Sequence, residues 1–212
     1  TRLQDFTTGS WALFGNPGRT IIGLNTQAFD AGKHRALPLV ADAEAGLKDL
    51  SRALGDWEAP VGWTAASLKA KNAWQPVSNG YMIQSERFMT PRPDPMPLPS
   101  DAQVLGVVQK LAKKADVVVC AAGGLPGEMH KLWQAGAPGG YHMEYGYSCM
   151  GYEVAGGLGA KMGRPDAEVI VMVGDGSYMM LNAELATSVM LGHKLIVVLL
   201  DNRGYGCIER LQ

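Results

Sequence analysis

Two apolar runs in this sequence end on residues able to hold a cation. Val169-Ile-Val-Met-Val173 runs into Gly174-Asp175-Gly176-Ser177, and Leu195 to Leu200 runs into Asp201-Asn202-Arg203-Gly204. A carboxylate from Asp175 and an amide carbonyl from Asn202 are hard oxygen donors of the kind Mg²⁺ takes. Gly174 and Gly176 leave backbone amides uncovered on either side of Asp175, and a helix expected from Ser177 would aim its positive end at the same place. That combination suits a metal-bound diphosphate. Gly-Asp-Gly by itself is a common strand-to-helix turn. The added information is that Asn202 follows Asp175 by 27 residues, which is room for one helix and one strand.

Such a site needs neighbouring strands that end side by side, and the pattern supplies them. Ser100-Asp-Ala-Gln103 reads as a capping box opening a helix, with Leu105, Val108 and Leu111 inward and Lys113-Lys114 in its last turn. Asp116 to Ala122 reads as a buried strand, Gly123-Gly124 as a turn, and Pro126 as an early position of a helix ended by Gly136. A glycine- and tyrosine-rich loop follows over 139–148. Then come a small-residue helix over 151–162, a strand over 168–173, a helix over 177–191 stopped by Gly192, and a strand over 195–200. Continuous apolar strands alternating with helices predict an α/β fold with a parallel sheet covered on both faces. In such sheets ligands bind beyond the carboxyl ends of the strands.

The first part of the chain is less regular. Strands are expected over 19–25 and 36–40, and a helix capped by Asp42, carrying Leu47, Leu50 and Leu54, and closed by Gly55. Residues 56–90 hold Trp57, Trp63 and Trp74 without a clean period. Prolines alternate from Pro91 to Pro99, which excludes helix and favours an extended linker. The domain boundary is placed there, giving 1–90 and 91–212.

Composition narrows the function classes. The chain has 212 residues, 47% hydrophobic and 18% charged, with a formal net charge of −1, so no basic field invites nucleic acid or anionic lipid. The longest branched-apolar run falls far short of the roughly 20 residues of a membrane span, and the first residues lack a signal-peptide core. Cys120, Cys149 and Cys207 are far apart in sequence and are expected as reduced, buried thiols of a cytoplasmic protein.

The stretch from Leu158-Gly159 and Pro165 through Gly174-Asp175-Gly176-Ser177 to Asn202 resembles the signature of thiamine-diphosphate-dependent enzymes. The resemblance implies a thiamine-diphosphate-binding fold. Asp175, the Asn202 side chain and the Gly204 carbonyl would bind Mg²⁺, while Gly174 and the amides of Gly176 and Ser177 would hold the diphosphate. The Gly123-Gly124-Leu125 turn would add donors. Tyr145-Gly-Tyr-Ser-Cys-Met-Gly151 is similar to the family loop that meets the aminopyrimidine, with Met150 as the wedge that bends the cofactor and the Ser148 carbonyl as an acceptor. Met180 would also face the cofactor. A methionine at either position is otherwise core filling. His142 and Glu144 are within reach of a substrate. His130, Glu184 and the His193-Lys194 pair are read as helix and surface residues.

Residues 1–55 resemble the Rossmann-like middle domain of the acetohydroxyacid synthase group of that family, through Gly23 to Asn25, Asp30-Ala-Gly-Lys33 and Asp42-Ala43. Gly140 to Glu153 and Asp201 to Cys207 are similar to a branch that hydrolyses a C–C bond of a cyclic diketone in inositol catabolism. Another carboligase or decarboxylase of the synthase type is the alternative. A non-catalytic scaffold would have no use for the Asp175/Asn202 pair. The resemblance further implies a homodimer or homotetramer with the cofactor at a subunit interface. The activating glutamate is expected in a separate pyrimidine-binding domain, so residues 1–212 read as part of a longer polypeptide, and no turnover is expected from them alone.

Overall fold

A computed structural model describes residues 3, 8–83, 99–144 and 146–209. By contacts the chain divides into two compact units, 1–67 and 68–212. The alternating-proline segment that the sequence marks as a boundary lies, except for Pro99, outside the described residues.

In the first unit, β1 (Ile22–Asn25) pairs in parallel with β2 (Leu37–Val40), with α1 (Ala28–Ala31) between them. Helix α2 (Ala43–Leu54) starts where the sequence places it: Asp42 accepts hydrogen bonds from the Glu44 and Ala45 amides. Gly55, with φ 54°, ends it. Its leucines Leu47, Leu50 and Leu54 are exposed. Residues 61–83, which show no clean period in the sequence, form one helix, α3, with Pro76 inside it.

The second unit is a four-stranded parallel sheet in the order β4-β3-β5-β6: β3 is Val117–Cys120, β4 Tyr141–Met143, β5 Val169–Gly174 and β6 Ile196–Leu200. Because side chains alternate along a strand, β3 and β5 feed two separate cores. Val118, Cys120, Ile170 and Met172 point to one face, beneath α4 (Asp101–Leu111) and α5 (Gly124–Leu132). Val117, Val119, Val169, Val171 and Val173 point to the other, where Val154 of α6 (Tyr152–Gly163) and Leu185 of α8 (Ala183–Met190) cover them. Helix α6 is rich in small residues because it lies close on the sheet: a Cβ at Gly157 would collide with Val171. The parallel α/β reading of the sequence holds, as does the capping box, with Ser100 and Gln103 satisfying each other's backbone amides.

Four local expectations are corrected. The helix expected over 177–191 is two, α7 (Asp175–Met180) and α8, interrupted at Leu181-Asn182, where Leu181 leaves helical geometry with ψ 39°. Gly151 lies beside the break: a Cβ added to it would stand 3.1 Å from that of Leu181. Part of the loop expected over 139–148 is β4, an edge strand too short for its alternation to be read. Helix α5 begins at Gly124 and ends at Leu132, short of Gly136. Helix α4 ends at Leu111, so Lys113 and Lys114 lie beyond it, and Leu111 is 75% exposed rather than inward. No helix among the described residues is long and apolar enough to cross a membrane.

The contrast between Leu105, fully buried, and Leu111 on one helix sets a test. Leu105→Ala should cost about 2–5 kcal/mol by removing core packing, whereas Leu111→Ala should stay within about 0.5 kcal/mol. Equal losses in urea denaturation of the natural polypeptide would contradict this packing.

Candidate functional site

Strand β5 lies between β3 and β6, and Gly174 pairs with Leu200. The residues that follow both strands therefore leave the sheet side by side. Asp175 opens α7. After β6 the chain turns sharply: Asp201 accepts a hydrogen bond from the Arg203 amide at 2.9 Å, Arg203 has φ 62°, and Gly204 has φ 148°, a conformation suited to glycine. That reversal returns the Gly204 amide to the Asp175 carboxylate, to which it donates at 2.8 Å. Asp201 is thus committed to its own turn, and Asp175 is the carboxylate facing the loop.

The Asn202 side chain completes this arrangement. With its nitrogen inward it donates to the Gly204 carbonyl at 2.6 Å and to Asp175 Oδ1 at 3.1 Å. With its oxygen inward, that oxygen stands 2.6 Å from the Gly204 carbonyl oxygen and 3.1 Å from Asp175 Oδ1. Neighbouring ligands around octahedral Mg²⁺ stand about 3.0 Å apart. The donor set of one carboxylate, one amide oxygen and one peptide carbonyl is of the chemistry that ion takes, and the Asn202–Asp175 separation of 3.1 Å matches that spacing. Among the described residues no group of three His, Cys, Asp or Glu side chains offers another metal cluster. Gly176 lies beneath the Tyr205 ring, 2.7 Å from where its Cβ would be.

The glutamate of the next segment was not singled out by sequence. Glu153, in the first turn of α6, is 1% exposed. Its Oε1 accepts from the Ala122 amide at 3.3 Å. Its Oε2 accepts from the Gly151 amide at 3.1 Å and from the Ser177 hydroxyl at 2.7 Å. The Gly151 amide also donates to Ser177 Oγ at 2.7 Å. Three segments thus meet on one buried carboxylate: the end of β3, the start of α6 and the turn after β5. Leaving any of those buried donors without an acceptor would cost about 1–3 kcal/mol. The available signal was a carboxylate immediately before the apolar and small-residue run Val154-Ala-Gly-Gly-Leu-Gly-Ala160 of the same helix. Ser177 spends its hydroxyl proton on Glu153, so toward a ligand it offers its backbone amide.

Other sequence candidates fall into place around this knot. Gly123, with φ 95°, is the N-cap of α5, and Gly124 is its first residue. The Leu125 side chain is buried in the core, leaving only its backbone for a ligand. Ser148 (φ 54°) and Met150 are half-buried in the loop before α6. Met180 is exposed, and its Cβ stands 3.3 Å from the position of a Cβ on Gly151. His130 and His142 are exposed, and the His142 ring lies 3.2 Å from the Gly139 carbonyl. Lys194 pairs with Glu168 at 3.0 Å, a partner beyond the helix-end role read from sequence. Of the three cysteines expected as buried, Cys120 is; Cys149, in a loop, is exposed, and Cys207, in a short helix over Gly206–Glu209 after the last strand, is half-buried.

Glu144 shapes the loop that carries Ser148 and Met150, accepting from the Cys149 amide at 2.8 Å and the Tyr147 amide at 2.9 Å. The Cys149 amide, above all, holds its carboxyl below the usual carboxylate range. Desolvation, and then the neighbouring Glu144 charge, raise the Cys149 thiol, while burial raises Cys120 much further.

Residues 121–212 match the family described as "Thiamine pyrophosphate enzyme, C-terminal TPP binding domain". The parallel sheet and the Gly-Asp-Gly turn lie within that matched stretch, which is similar to the cofactor-binding domain of thiamine-diphosphate-dependent enzymes. Over its whole length it is similar to proteins named 3D-(3,5/4)-trihydroxycyclohexane-1,2-dione hydrolase: 40% identical to that of Geobacillus thermodenitrificans (strain NG80-2), and 39% to those of Bacillus anthracis (strain CDC 684 / NRRL 3495) and Bacillus cereus (strain AH820). In each case it covers 35% of the relative, so it spans about a third of the length of these proteins.

The thiols test the loop geometry. Cys149 should react with an aromatic disulfide reagent in the folded protein, and Cys120 only after unfolding. Glu144→Gln removes the charge that opposes the Cys149 thiolate, lowering that thiol's pKa and speeding its labelling at pH 7. Peptide mass spectrometry separates the sites, and an unchanged or slower rate at Cys149 would contradict the pairing.

Proposed function

We propose that this chain is the diphosphate- and metal-holding part of a thiamine-diphosphate- and Mg²⁺-dependent enzyme. The whole enzyme would open the ring of 3D-trihydroxycyclohexane-1,2-dione by hydrolytic C–C cleavage, giving 5-deoxyglucuronate in inositol catabolism. The observation that carries the cofactor reading is the convergence of Asp175, Asn202 and the Gly204 carbonyl at the carboxyl ends of β5 and β6. The similarity over the whole chain to hydrolases of that name supports the substrate.

In this reading Asp175, Asn202 and the Gly204 carbonyl hold Mg²⁺. The amides of Gly176 and Ser177, with Gly174 beside them and the Gly123-Gly124-Leu125 turn opposite, hold the diphosphate. Met150 is the apolar wedge against which the cofactor bends, the Ser148 carbonyl accepts a hydrogen bond from it, and Met180 lines the same space. When bound, the cofactor supplies an electron sink for breaking a bond next to a carbonyl. Overall, one water is consumed: the bond between the two carbonyl carbons breaks, one carbon takes the water oxygen as a carboxylic acid, and the other takes hydrogen as an aldehyde. The loop shaped by Glu144 borders the side on which His142 is exposed, where a polar ring substrate would be met.

Residues 1–90 are proposed as middle-domain sequence and connecting segment, and 91–212 as cofactor-binding domain. The enzyme is proposed to work as a cytoplasmic homodimer or homotetramer, with an activating glutamate from a separate domain. A carboligase or decarboxylase of the acetohydroxyacid synthase type is the second reading, since it would use the same metal loop.

Calorimetric titration of the natural polypeptide with thiamine diphosphate and Mg²⁺ tests the cofactor reading. Asp175→Ala and Asn202→Ala should each weaken binding by at least about 100-fold, a loss of roughly 2.7 kcal/mol. Unaltered affinity in both variants would remove the metal assignment. Turnover of pyruvate in place of the dione would favour the carboligase.

A further inference from the structure

We propose that Glu153 is a positioning residue for cofactor binding: its buried carboxylate fixes the spacing between the turn after β3, the loop before α6 and the turn after β5. The proposal rests on the diphosphate reading of the site and adds to it a residue that never touches the ligand. Three observations carry it. The carboxylate is almost fully buried, in a helix whose neighbouring residues are apolar or glycine. Its acceptors are shared among three segments distant in sequence, through the Ala122 amide, the Gly151 amide and the Ser177 hydroxyl. Each of those groups adjoins a residue proposed to meet the cofactor: Ala122 precedes Gly123, Gly151 follows Met150, and Ser177 follows Gly176.

The chemistry of the knot requires a carboxylate. Both oxygens act as acceptors, and the Ser177 hydroxyl, having donated to Glu153, accepts in turn from the Gly151 amide. A glutamine fills the same volume but carries one acceptor and one donor group. Placed one way, its nitrogen opposes the Ala122 amide; placed the other, it opposes the Gly151 amide. Either orientation loosens one of the three segments without opening a cavity. Gly151 has a φ of 91°, and a Cβ there would stand 3.1 Å from that of Leu181 and 3.3 Å from that of Met180, so only glycine suits this point of the knot.

The test is Glu153→Gln in the natural polypeptide, with Glu128→Gln on the surface of α5 as control. Affinity for thiamine diphosphate with Mg²⁺ is measured by calorimetry, alongside the melting temperature of cofactor-free protein. The expected result is a loss of at least about 10-fold in affinity, of the order seen for residues that orient ligating groups, with melting lowered by only a few degrees. Unchanged affinity, measured well below the melting temperature, overturns the proposal and leaves Glu153 a core residue. Should Glu153→Gln fail to fold, hydrogen exchange on unaltered protein decides. Slow exchange at the Ala122 and Gly151 amides, in loops and without cofactor, upholds the proposal, and exchange as fast as in exposed loops overturns it. If the natural polypeptide takes up no thiamine diphosphate with Mg²⁺, the cofactor reading is what fails, and the positioning role falls with it.

Discussion

A strand buried on both faces cannot slip its register, because a shift by one residue would exchange the side chains of two cores at once. Strand β5 is such a strand: Val169, Val171 and Val173 fill one core and Ile170 and Met172 the other, with β3 and β6 bonded along its two edges. Fixing β5 fixes where Gly174 stops, and the pairing of Gly174 with Leu200 fixes where β6 stops. Everything at the site is built outward from those two strand ends. Gly157 serves the same constraint from the side, letting α6 lie close enough to the sheet for its first turn to reach the end of β3.

Beyond the strand ends the chain solves two polar problems in different ways. The Glu153 carboxylate lies among apolar groups, where burial is costly unless its oxygens are bonded. Two backbone amides and one hydroxyl meet that requirement and bind three segments together. The Asp175 carboxylate lies nearer the surface, facing the Asn202 amide and the Gly204 peptide. There the amide orientation decides whether the triangle closes by hydrogen bonds or presents three oxygens to a cation. One carboxylate is thus saturated by protein and rigid, and the other keeps capacity for a ligand. That division suits a site in which the frame must be stiff and the ligating groups available.

The loop from Glu144 to Gly151 stands between these regimes. Its shape comes from Glu144, whose two oxygens accept the Tyr147 and Cys149 amides, and from its anchor at Gly151. The exposed Cys149 thiol is a consequence of that shape, since the turn that presents Met150 half-buried brings its neighbour to the surface. Residues bordering the proposed substrate side therefore belong to the part of the chain least determined by the sheet.

Sequence alone determined the features that depend on neighbours a few residues away. The capping box at Ser100, the Asp42 cap and the apolar runs over 117–120, 169–173 and 196–200 were all legible, because caps and strand faces are local properties. The pairing of Asp175 with Asn202 was legible for a different reason: their separation left room for one helix and one strand, and a parallel sheet then had to return the chain to the same edge. Tertiary structure decided the rest. The break between α7 and α8 at Leu181-Asn182 had no signal in the local pattern, and whether Leu111 was inward depended on where α4 ended. Glu153 was decided most completely by the fold. Two of its three partners, Ala122 and Ser177, lie 31 and 24 residues away, and no periodicity within a helix reports which strand end will lie against its first turn.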